Sequence, residues 1–435
     1  MRDEQNQTAA KGFVEQVTAL HPSLGGTPAL ASLRGAGLDR FAKGGLPTTR
    51  IEAWKFTNLR GLDKLVLAPA PDAATVAVDA IPSALEAQGP RLVFVAGQFR
   101  ADLSRVGELP DGVVLESLSS ALTRDPAGLA ALLDGDTTGT FRALNNAFLA
   151  EGAVLRVAAG VKLASPVELV FIAATAGDKA SLWHPRIVVD IADGAEATIV
   201  EHHTGADASA YVSNIAADIR VGAKARLHHY KLQTESLEAF HLANVTAVLG
   251  NEATYDTFVL NLGARLARHE ARQVLGGEGI EARVSGAYAI RGNQVSDITT
   301  LIDHAKPNCT SREVVKGVID GSARAVFQGK IIVRPDAQKT DGYQLNRALL
   351  LSDNAEINSK PELEIYADDV KCSHGATAGE LDEDQMFYLR ARGVPRDAAR
   401  VLLIGAFLDE ALDEIIDEEV RAYFRARAES WMGTR

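Results

Sequence analysis

The pattern of apolar and polar positions changes near Leu144, where short segments rich in Val, Ile, Thr and Tyr begin to alternate with small, charged turns. These turns repeat, because Gly194, Gly222 and Gly250 lie 28 residues apart and Gly277 follows after a further 27. A fixed period in this range is typical of a solenoid. Since a strand advances roughly 3.3 Å per residue, one unit holds two or three short strands with tight turns. The pattern therefore predicts the coils of a β-helix, with an antiparallel β-domain of regular turns as the alternative.

The same turn returns after a longer insertion, at residues 320–325 and 353–357. Gly321 and Asn354 occupy it, and these residue types tolerate a positive φ angle. Gly and Ala in the earlier turns likewise permit sharp corners. We therefore expect a β-helical core over residues 141–375.

The N-terminal part has a different pattern. Residues 9–20 and 29–41 are predicted to form short helices that are separated by Gly- and Pro-containing linkers. The apolar run at residues 92–95 lies between glycines and predicts a strand. Residues 1–140 are therefore expected to form a helical or mixed region.

The last part of the chain, residues 376–435, is predicted to be helical. Asp382 and its acidic neighbours complement the dipole at a helix N-terminus, and this helix is expected to end before Gly393. Pro395 fits the first turn of a second helix, which has an apolar stripe between positions 401 and 416. Because two or three helices make a thin core, we expect an apolar face that is offered to another protein.

Composition excludes several classes of function. The chain has 435 residues and a formal net charge of -12, which argues against nucleic acid as a partner because backbone recognition needs clustered Lys and Arg. With two cysteines and no CxxC pair, neither a disulfide framework nor a zinc finger is expected, and a reducing compartment fits. The first residues lack the order of a secretory signal, and no apolar stretch reaches the roughly 18 residues of a membrane span. A cytoplasmic protein is expected.

Templates for catalysis are absent from the sequence. It contains no phosphate-binding P-loop, no His-Glu-x-x-His zinc motif and no Gly-x-Ser-x-Gly nucleophile elbow. The glycine-rich stretch at residues 276–279 includes an acidic residue and lies within the β-repeat, so it suits a turn better than a phosphate cradle. The sequence therefore predicts a protein that is not an enzyme.

The strongest candidate for a pair of metal ligands is found in Cys372-Ser373-His374. Residues two apart on a strand face the same side, so the thiol of Cys372 and the imidazole of His374 would lie together as ligands suited to iron or zinc. The alternative is a packed cysteine and a hydrogen-bonded histidine that bind no metal. Two ligands do not complete a tetrahedral site or hold an iron-sulfur cluster, so further ligands would have to come from elsewhere in the fold or from a partner chain.

Other cysteine and histidine residues are secondary candidates. The two histidine pairs lie at different offsets from their turn glycines, so they are not in strict register on successive coils. Neighbouring coils could still bring the imidazoles together, and the alternative is that they are solvated or hydrogen-bonded at the surface. We do not name them as ligands. These candidates are His304, Cys309, His202-His203 and His228-His229.

Two blocks near the C-terminus resemble a known family. Asp-Val-Lys-Cys-Ser-His-Gly-Ala-Thr at residues 369–377, followed by Leu-Asp-Glu-Asp-Gln-Met-Phe-Tyr-Leu-Arg-Ala-Arg-Gly at residues 381–393, resembles the C-terminal signature of the SufB/SufD family. Thr-Arg-Ile-Glu-Ala-Trp-Lys-Phe-Thr at residues 49–57 is similar to the N-terminal motif of its SufD branch. Residues 141–148 resemble the segment that leads into the family's β-helix. The resemblance covers nearly the whole chain.

The resemblance implies a mainly β fold, in which a right-handed parallel β-helix is flanked by N-terminal and C-terminal helical regions. It also implies a non-catalytic scaffold role in iron-sulfur cluster assembly by the SUF system, with SufB paired along the β-helix and the ABC-type ATPase SufC bound to the C-terminal helices. ATP hydrolysis would then belong to SufC, which explains the missing P-loop. Nascent clusters are expected at the SufB interface, where His374 contributes from this chain and Cys372 lies close by.

Further expectations about cofactors and partners follow from the same resemblance. A transient iron-sulfur cluster would lie at the partner interface, reduced flavin is associated with such complexes, and the isolated chain could form a homodimer. SufB-type chains are usually longer and have additional N-terminal cysteines, so the SufD branch fits this sequence better. The residues expected to bind SufC are Gln385, Phe387, Tyr388, Arg390, Arg392 and Gly393.

Two other hypotheses stay open at this point. The first is a β-helix that acts on polysaccharide or binds a long polymer, although such proteins are typically secreted and the enzymes among them need a placed pair of carboxylates. Binding of SufC would separate it from the scaffold hypothesis. The second is a structural adaptor in which Cys372 and His374 serve packing alone, and the effect of His374→Ala on cluster formation would test it.

Overall fold

The N-terminal part combines helices with short strands. A computed structural model describes residues 2–22, 24, 27–85, 89–133, 139–175, 177–205 and 209–433, with side chains from residue 10 onward. Both predicted helices are present, and the predicted strand is β2. In chain order the elements are α1 (Arg2–Ala19), α2 (Pro28–Gly44), β1 (Leu67–Ala68), β2 (Arg91–Val95), β3 (Gln98–Phe99), β4 (Val113–Ser117), α3 (Leu118–Arg124), α4 (Pro126–Ala130) and α5 (Thr140–Ala147).

The central part is a parallel β-solenoid of about 7 turns, so the mainly β, solenoid prediction is confirmed. From β8 onward the strands alternate between an even sheet and an odd sheet, named after the strand numbers, and two consecutive strands make one coil. The strands are β5 (Gly152–Val157), β6 (Val167–Ile172), β7 (Ala180–Trp183), β8 (Arg186–Ile191), β9 (Glu196–Thr204), β10 (Tyr211–Val221), β11 (Arg226–Thr234), β12 (Phe240–Leu249), β13 (Thr254–Asn261), β14 (Leu266–Leu275), β15 (Glu281–Ile290), β16 (Val295–His304), β17 (Thr310–Ile319), β18 (Arg324–Val333), β19 (Asp341–Leu350), β20 (Glu356–Ile365) and β21 (Lys371–Gly379).

The coils keep their register although their lengths differ. Phe240 pairs with Leu266 on the next coil, 26 residues on, whereas Arg324 pairs with Glu356, 32 residues on. The predicted period of 28 lies within this range. Alternate side chains of both sheets point inward and fill the solenoid with an apolar core, as Ile199 does in the odd sheet.

The repeated glycines serve either a positive φ angle, as at Gly194, or close packing between turns, as at Gly222, Gly250 and Gly277. Gly321 has the predicted positive φ of 68°, but Asn354 is not among the residues with positive φ. In the turn after β10, Lys224 has the positive φ, of 58°, in place of Gly222. At Gly277 a β-carbon would lie 2.2 Å from the backbone nitrogen of Asn251 on the preceding coil. The regular spacing of these glycines therefore arises because each turn stacks closely on the next.

The N-terminal motif at residues 49–57 attaches the helices to the outer face of the even sheet. Trp54 is buried there, with the guanidinium of Arg268 4.1 Å from its ring centroid. The hydroxyl of Thr57 donates a hydrogen bond to the carboxylate of Asp297, which also pairs with Arg268. The motif therefore has a structural contact of its own within the chain.

Three helices follow the solenoid: α6 (Glu383–Ala391), α7 (Arg396–Leu412) and α8 (Glu418–Gly433). The carboxylate of Asp382 caps α6 by accepting two backbone N–H groups, and Pro395 immediately precedes α7. Ile404 and Leu408 of α7 are buried in a cluster with apolar side chains from the outer face of the odd sheet. None of the described helices is long and apolar enough to cross a membrane.

Candidate functional site

The Cys-Ser-His segment lies at the C-terminal end of the solenoid. β20 is the last strand of the even sheet and β21 the last strand of the odd sheet, and we call these two strands the end rung. Within the described residues each pairs with one neighbour only, β18 and β19 respectively. Most end-rung residues are exposed or half-buried, unlike those of the inner coils. A strand edge with unpaired backbone groups is a template for binding another chain.

The structure brings Cys372 and His374 to one face of β21. Cys372 pairs in register with Gly342, and His374 with Gln344. Cys372 is half-buried and packs on the interior core, so alternation along the strand places His374 on the same inward face, where the open end leaves it exposed. A β-carbon on Gly342 would come to 3.4 Å from Sγ of Cys372, so the thiol lies over this glycine. The role of the two side chains as ligands stays a prediction.

The surroundings of Cys372 favour its neutral thiol. Burial raises the pKa of Cys372, a backbone hydrogen bond from Gly342 opposes this effect, and the charge of Asp341 adds to it. A thiolate is the form that binds metals. Metal binding at this cysteine would therefore release a proton, as it does wherever a thiol becomes a ligand.

His304 and Cys309 are buried core residues of the inner coils. The imidazole Nε2 of His304 is 2.9 Å from Oγ of Ser311, and burial lowers the pKa of His304 to about 4. The thiol of Cys309 donates to the carbonyl of Gly277 at 3.3 Å, and burial raises its pKa. Both side chains stabilise the interior of the solenoid.

The histidine pairs are hydrogen-bonded as considered, but the prediction of a surface location is wrong for three of the four. His203 and His229 are buried inside the solenoid and share the carboxylate of Glu201, at 2.7 Å and 2.5 Å. They meet because Glu201 and its neighbours point inward on adjacent coils. The other two histidines contact carboxylates on the outer face of the odd sheet, His202 with Glu168 at 3.1 Å and His228 with Asp256 at 3.1 Å.

Sequence reasoning missed the charged groups that surround Glu201. Burial opposes ionisation of Glu201, but the charges of Lys231 and His229 outweigh it and hold the pKa of this carboxyl well below 4.5. Lys231 is in register with Glu201, so alternation along β9 and β11 was the signal that could have found the pair. We call this group the interior ionic cluster; its members are Glu201, His203, His229, Lys231, Glu235, His241 and His269.

The interior ionic cluster has the properties of a structural network. Its imidazole and carboxylate groups contact each other directly, as His241 and Glu235 do at 2.6 Å. Buried ions are stable only when they are paired in this way. Across the part of the chain that the structure describes, no group of three or more His, Cys, Asp and Glu side chains is arranged to hold a metal ion.

A second surface lies on α6, which the chain enters directly after β21. The side chain of Phe387 is 73% exposed and that of Tyr388 is 55% exposed, whereas the preceding residue of the helix, Met386, is buried. The guanidinium of Arg392 stacks on the ring of Tyr388, 3.5 Å from its centroid. Large apolar side chains that are exposed side by side mark an interaction surface. All six residues predicted to bind a partner here are exposed.

Comparison with known proteins gives a consistent family assignment. The family model described as SUF system FeS cluster assembly, SufBD core domain, matches residues 171–407. The chain is 35% identical to an iron-sulfur cluster assembly SufBD family protein of Synechocystis over 401 residues, which is 89% of this chain and 87% of that protein. It is 34% identical to the iron-sulfur cluster assembly protein SufD of Escherichia coli over 90% of each chain. SufD of Bacillus subtilis is 28% identical over 86% of each chain. The chain therefore belongs to the SufB/SufD family of iron-sulfur cluster assembly proteins.

Proposed function

We propose that this chain is a non-catalytic scaffold subunit of a cytoplasmic SUF complex, in which it pairs with SufB and docks the ATPase SufC. The observation that carries the proposal is the end rung, where two candidate ligands lie beside two strand edges that can bind another chain. A family assignment alone does not give a role, so the site has to support it.

SufB is proposed to bind the end rung by strand pairing. Edge strands expose backbone groups that a similar solenoid can match, and Tyr366, which follows β20, is 62% exposed. In the absence of SufB a second copy of the chain has the same edges to offer, so the isolated protein is proposed to form a homodimer. The proposal needs no further surface of the solenoid.

The nascent iron-sulfur cluster is the cargo of this interface. His374 and Cys372 supply an imidazole and a thiol from this chain, and the remaining ligands come from SufB, because a cluster takes four ligands. Reduced flavin is proposed to act in the complex, with no residue of this chain assigned to it. The packed inner coils, on which β21 is paired through β19, hold these two side chains in place.

SufC is proposed to dock on α6 and on the two residues that follow it, Arg392 and Gly393. Phe387 and Tyr388 provide the apolar contact, and Arg390 and Arg392 provide positive charge around it. Aromatic side chains and arginine are the residues that contribute most to protein interfaces. ATP binding and hydrolysis would then occur in SufC.

The test is co-expression of this chain with its cognate SufB and SufC, and purification through a tag on this chain. Iron, sulfide and visible absorption are measured for the wild type, His374→Ala and Cys372→Ala. We expect a ternary complex in all three, and a cluster content that falls most in His374→Ala. A matched control is His228→Ala, because this histidine is partly exposed on the outer face of the odd sheet, away from the end rung.

Two results would contradict the proposal in different ways. If neither SufB nor SufC co-purifies with the wild type, the scaffold role is wrong. If the complex forms and His374→Ala contains as much cluster as His228→Ala, the role stands and the assignment of His374 is wrong.

A further inference from the structure

Beneath His374, three side chains are stacked along the inside of the solenoid. Glu313 on β17 pairs in register with Gln344 on β19, and Gln344 pairs with His374 on β21. Adjacent strands lie about 4.8 Å apart, so each side chain is within reach of the next. Glu313 and Gln344 are both 0% exposed. The end rung thus has a polar column directly below its histidine.

The contact between Glu313 and Gln344 fixes the orientation of the amide. Nε2 of Gln344 donates to the carboxyl of Glu313 at 2.5 Å, and the hydroxyl of Thr300 donates to the same carboxyl from the even sheet. With its amide nitrogen donating to Glu313, Gln344 turns its amide oxygen away from this carboxyl. A β-carbon on Gly329 would lie 2.1 Å from this nitrogen, so the glycine makes room for the amide.

The amide oxygen of Gln344 has no hydrogen-bond partner among the described residues, although it is buried. A buried acceptor without a donor is costly and calls for an explanation in a native structure. Its own amide nitrogen is used by Glu313, and the next polar side chain along the column is the imidazole of His374. The imidazole has a donor to offer when one of its nitrogens carries a proton.

We propose that Gln344 is a positioning residue for His374: its Oε1 accepts the N–H of one ring nitrogen and leaves the other ring nitrogen to bind the cluster. Glu313 holds the amide of Gln344 in the orientation that this requires. Metal-binding histidines commonly donate their second N–H to an oxygen acceptor, which fixes the tautomer and raises the basicity of the ligand. The inference rests on the proposed function, because it assumes that His374 binds the cluster.

The test compares two buried side chains on the same strand in the complex with SufB and SufC. Gln344→Met keeps the length of the side chain and removes the acceptor. Asn346→Leu is the matched control, since Asn346 is also buried, donates to Ser359 at 2.9 Å and pairs with Ala376, which has no ligand atom. The amount of iron that resists a chelator and the reduction potential of the cluster are measured after anaerobic loading.

We expect Gln344→Met to assemble the complex but to hold iron roughly 10- to 100-fold less tightly, the usual effect of losing such a partner. The reduction potential should rise, because an imidazole without its acceptor donates less electron density to the cluster. Asn346→Leu should match the wild type in both measurements. Glu313→Gln is a second variant, and since its amide can donate to Oε1 of Gln344 and compete with His374, retention should lie between those of the wild type and Gln344→Met.

The outcomes separate this inference from the proposed function. Iron retention and potential equal to the wild type in Gln344→Met overturn the inference, and so does an equal loss in Asn346→Leu, which would indicate general packing damage. If cluster is lost in His374→Ala but not in Gln344→Met, the proposed function stands and the inference alone is wrong. A wild-type complex that never holds a cluster overturns both.

Discussion

Glu313 lets the energetic cost of a buried charge be measured directly. Its carboxyl is 0% exposed, and burial raises its pKa from 4.5 to about 7, against the effect of hydrogen bonds from Thr300 and Gln344. In the unfolded chain the carboxyl loses its proton near its ordinary pKa of 4.5. The folded chain therefore binds a proton between these two pH values that the unfolded chain lacks.

The sign and size of the effect follow from this difference. Because the folded pKa is the higher one, the contribution of Glu313 to stability is fully present below pH 4.5 and is lost as the pH rises through about 7. The loss is about 1.4 kcal/mol per pH unit and reaches about 3 kcal/mol in total. Glu313→Gln keeps the shape of the side chain but cannot ionise. Its free energy of unfolding should exceed that of the wild type by up to about 3 kcal/mol at alkaline pH and equal it in mild acid.

The assay is urea unfolding followed by circular dichroism, at several pH values from about 5 to about 8. Glu281→Gln is the control, because Glu281 is exposed on the outside of β15 and solvent surrounds it in both states. A difference between Glu313→Gln and the wild type that does not change with pH would refute the reasoning. It would show that Glu313 does not titrate between the folded and unfolded states as its burial requires.

Three further predictions concern other parts of the chain. Burial lowers the pKa of His184 from 6.5 to about 3, so the contribution of neutral His184 to stability is fully present above pH 6.5. In acid this contribution falls by about 1.4 kcal/mol per pH unit, and in His184→Gln the free energy of unfolding measured with urea should no longer show this dependence on pH. Gly277→Ala should lower the free energy of unfolding by about 1–3 kcal/mol because the turns are forced apart, whereas at Gly276 the nearest atom to a β-carbon is 3.4 Å away and Gly276→Ala should cost little. Phe387→Ser should reduce SufC in the purified complex by roughly 10-fold and leave SufB, whereas Tyr366→Ser should do the reverse, as gel quantification would show.

The repeat could be predicted because its cause is visible in sequence. Each turn must stack on the next, so small residues recur at the spacing of the coils, as Gly222, Gly250 and Gly277 do. The exact residue with a positive φ could not be predicted in the same way. Lys224 takes it at one turn and Glu252 at the next, because the hydrogen bonds between coils fix the turn more strongly than residue preference does.

The candidate site was only partly visible in sequence. The spacing of Cys372 and His374 placed both on one face of a strand, and the structure agrees. The spacing could not show that Gln344 lies beneath His374, since that contact joins residues 30 apart on coils of unequal length. The interior ionic cluster was foreseen only in part: the histidine pairs were considered as neighbours on adjacent coils, but the carboxylates and Lys231 that pair with them on other coils were not.

The two ends of the solenoid differ, and this difference decides where a partner can act. At the N-terminal end each sheet finishes with an antiparallel strand, β3 or β4, which closes the run of parallel pairing. At the C-terminal end both sheets finish with parallel strands, and the chain then leaves β21 at Gly379 and enters α6 at Glu383. The inner coils are packed and paired on both sides, so they offer no edge to another chain. Under the proposed scaffold role, this open end would present two ligands on a rigid base and the partner would supply the rest of the site.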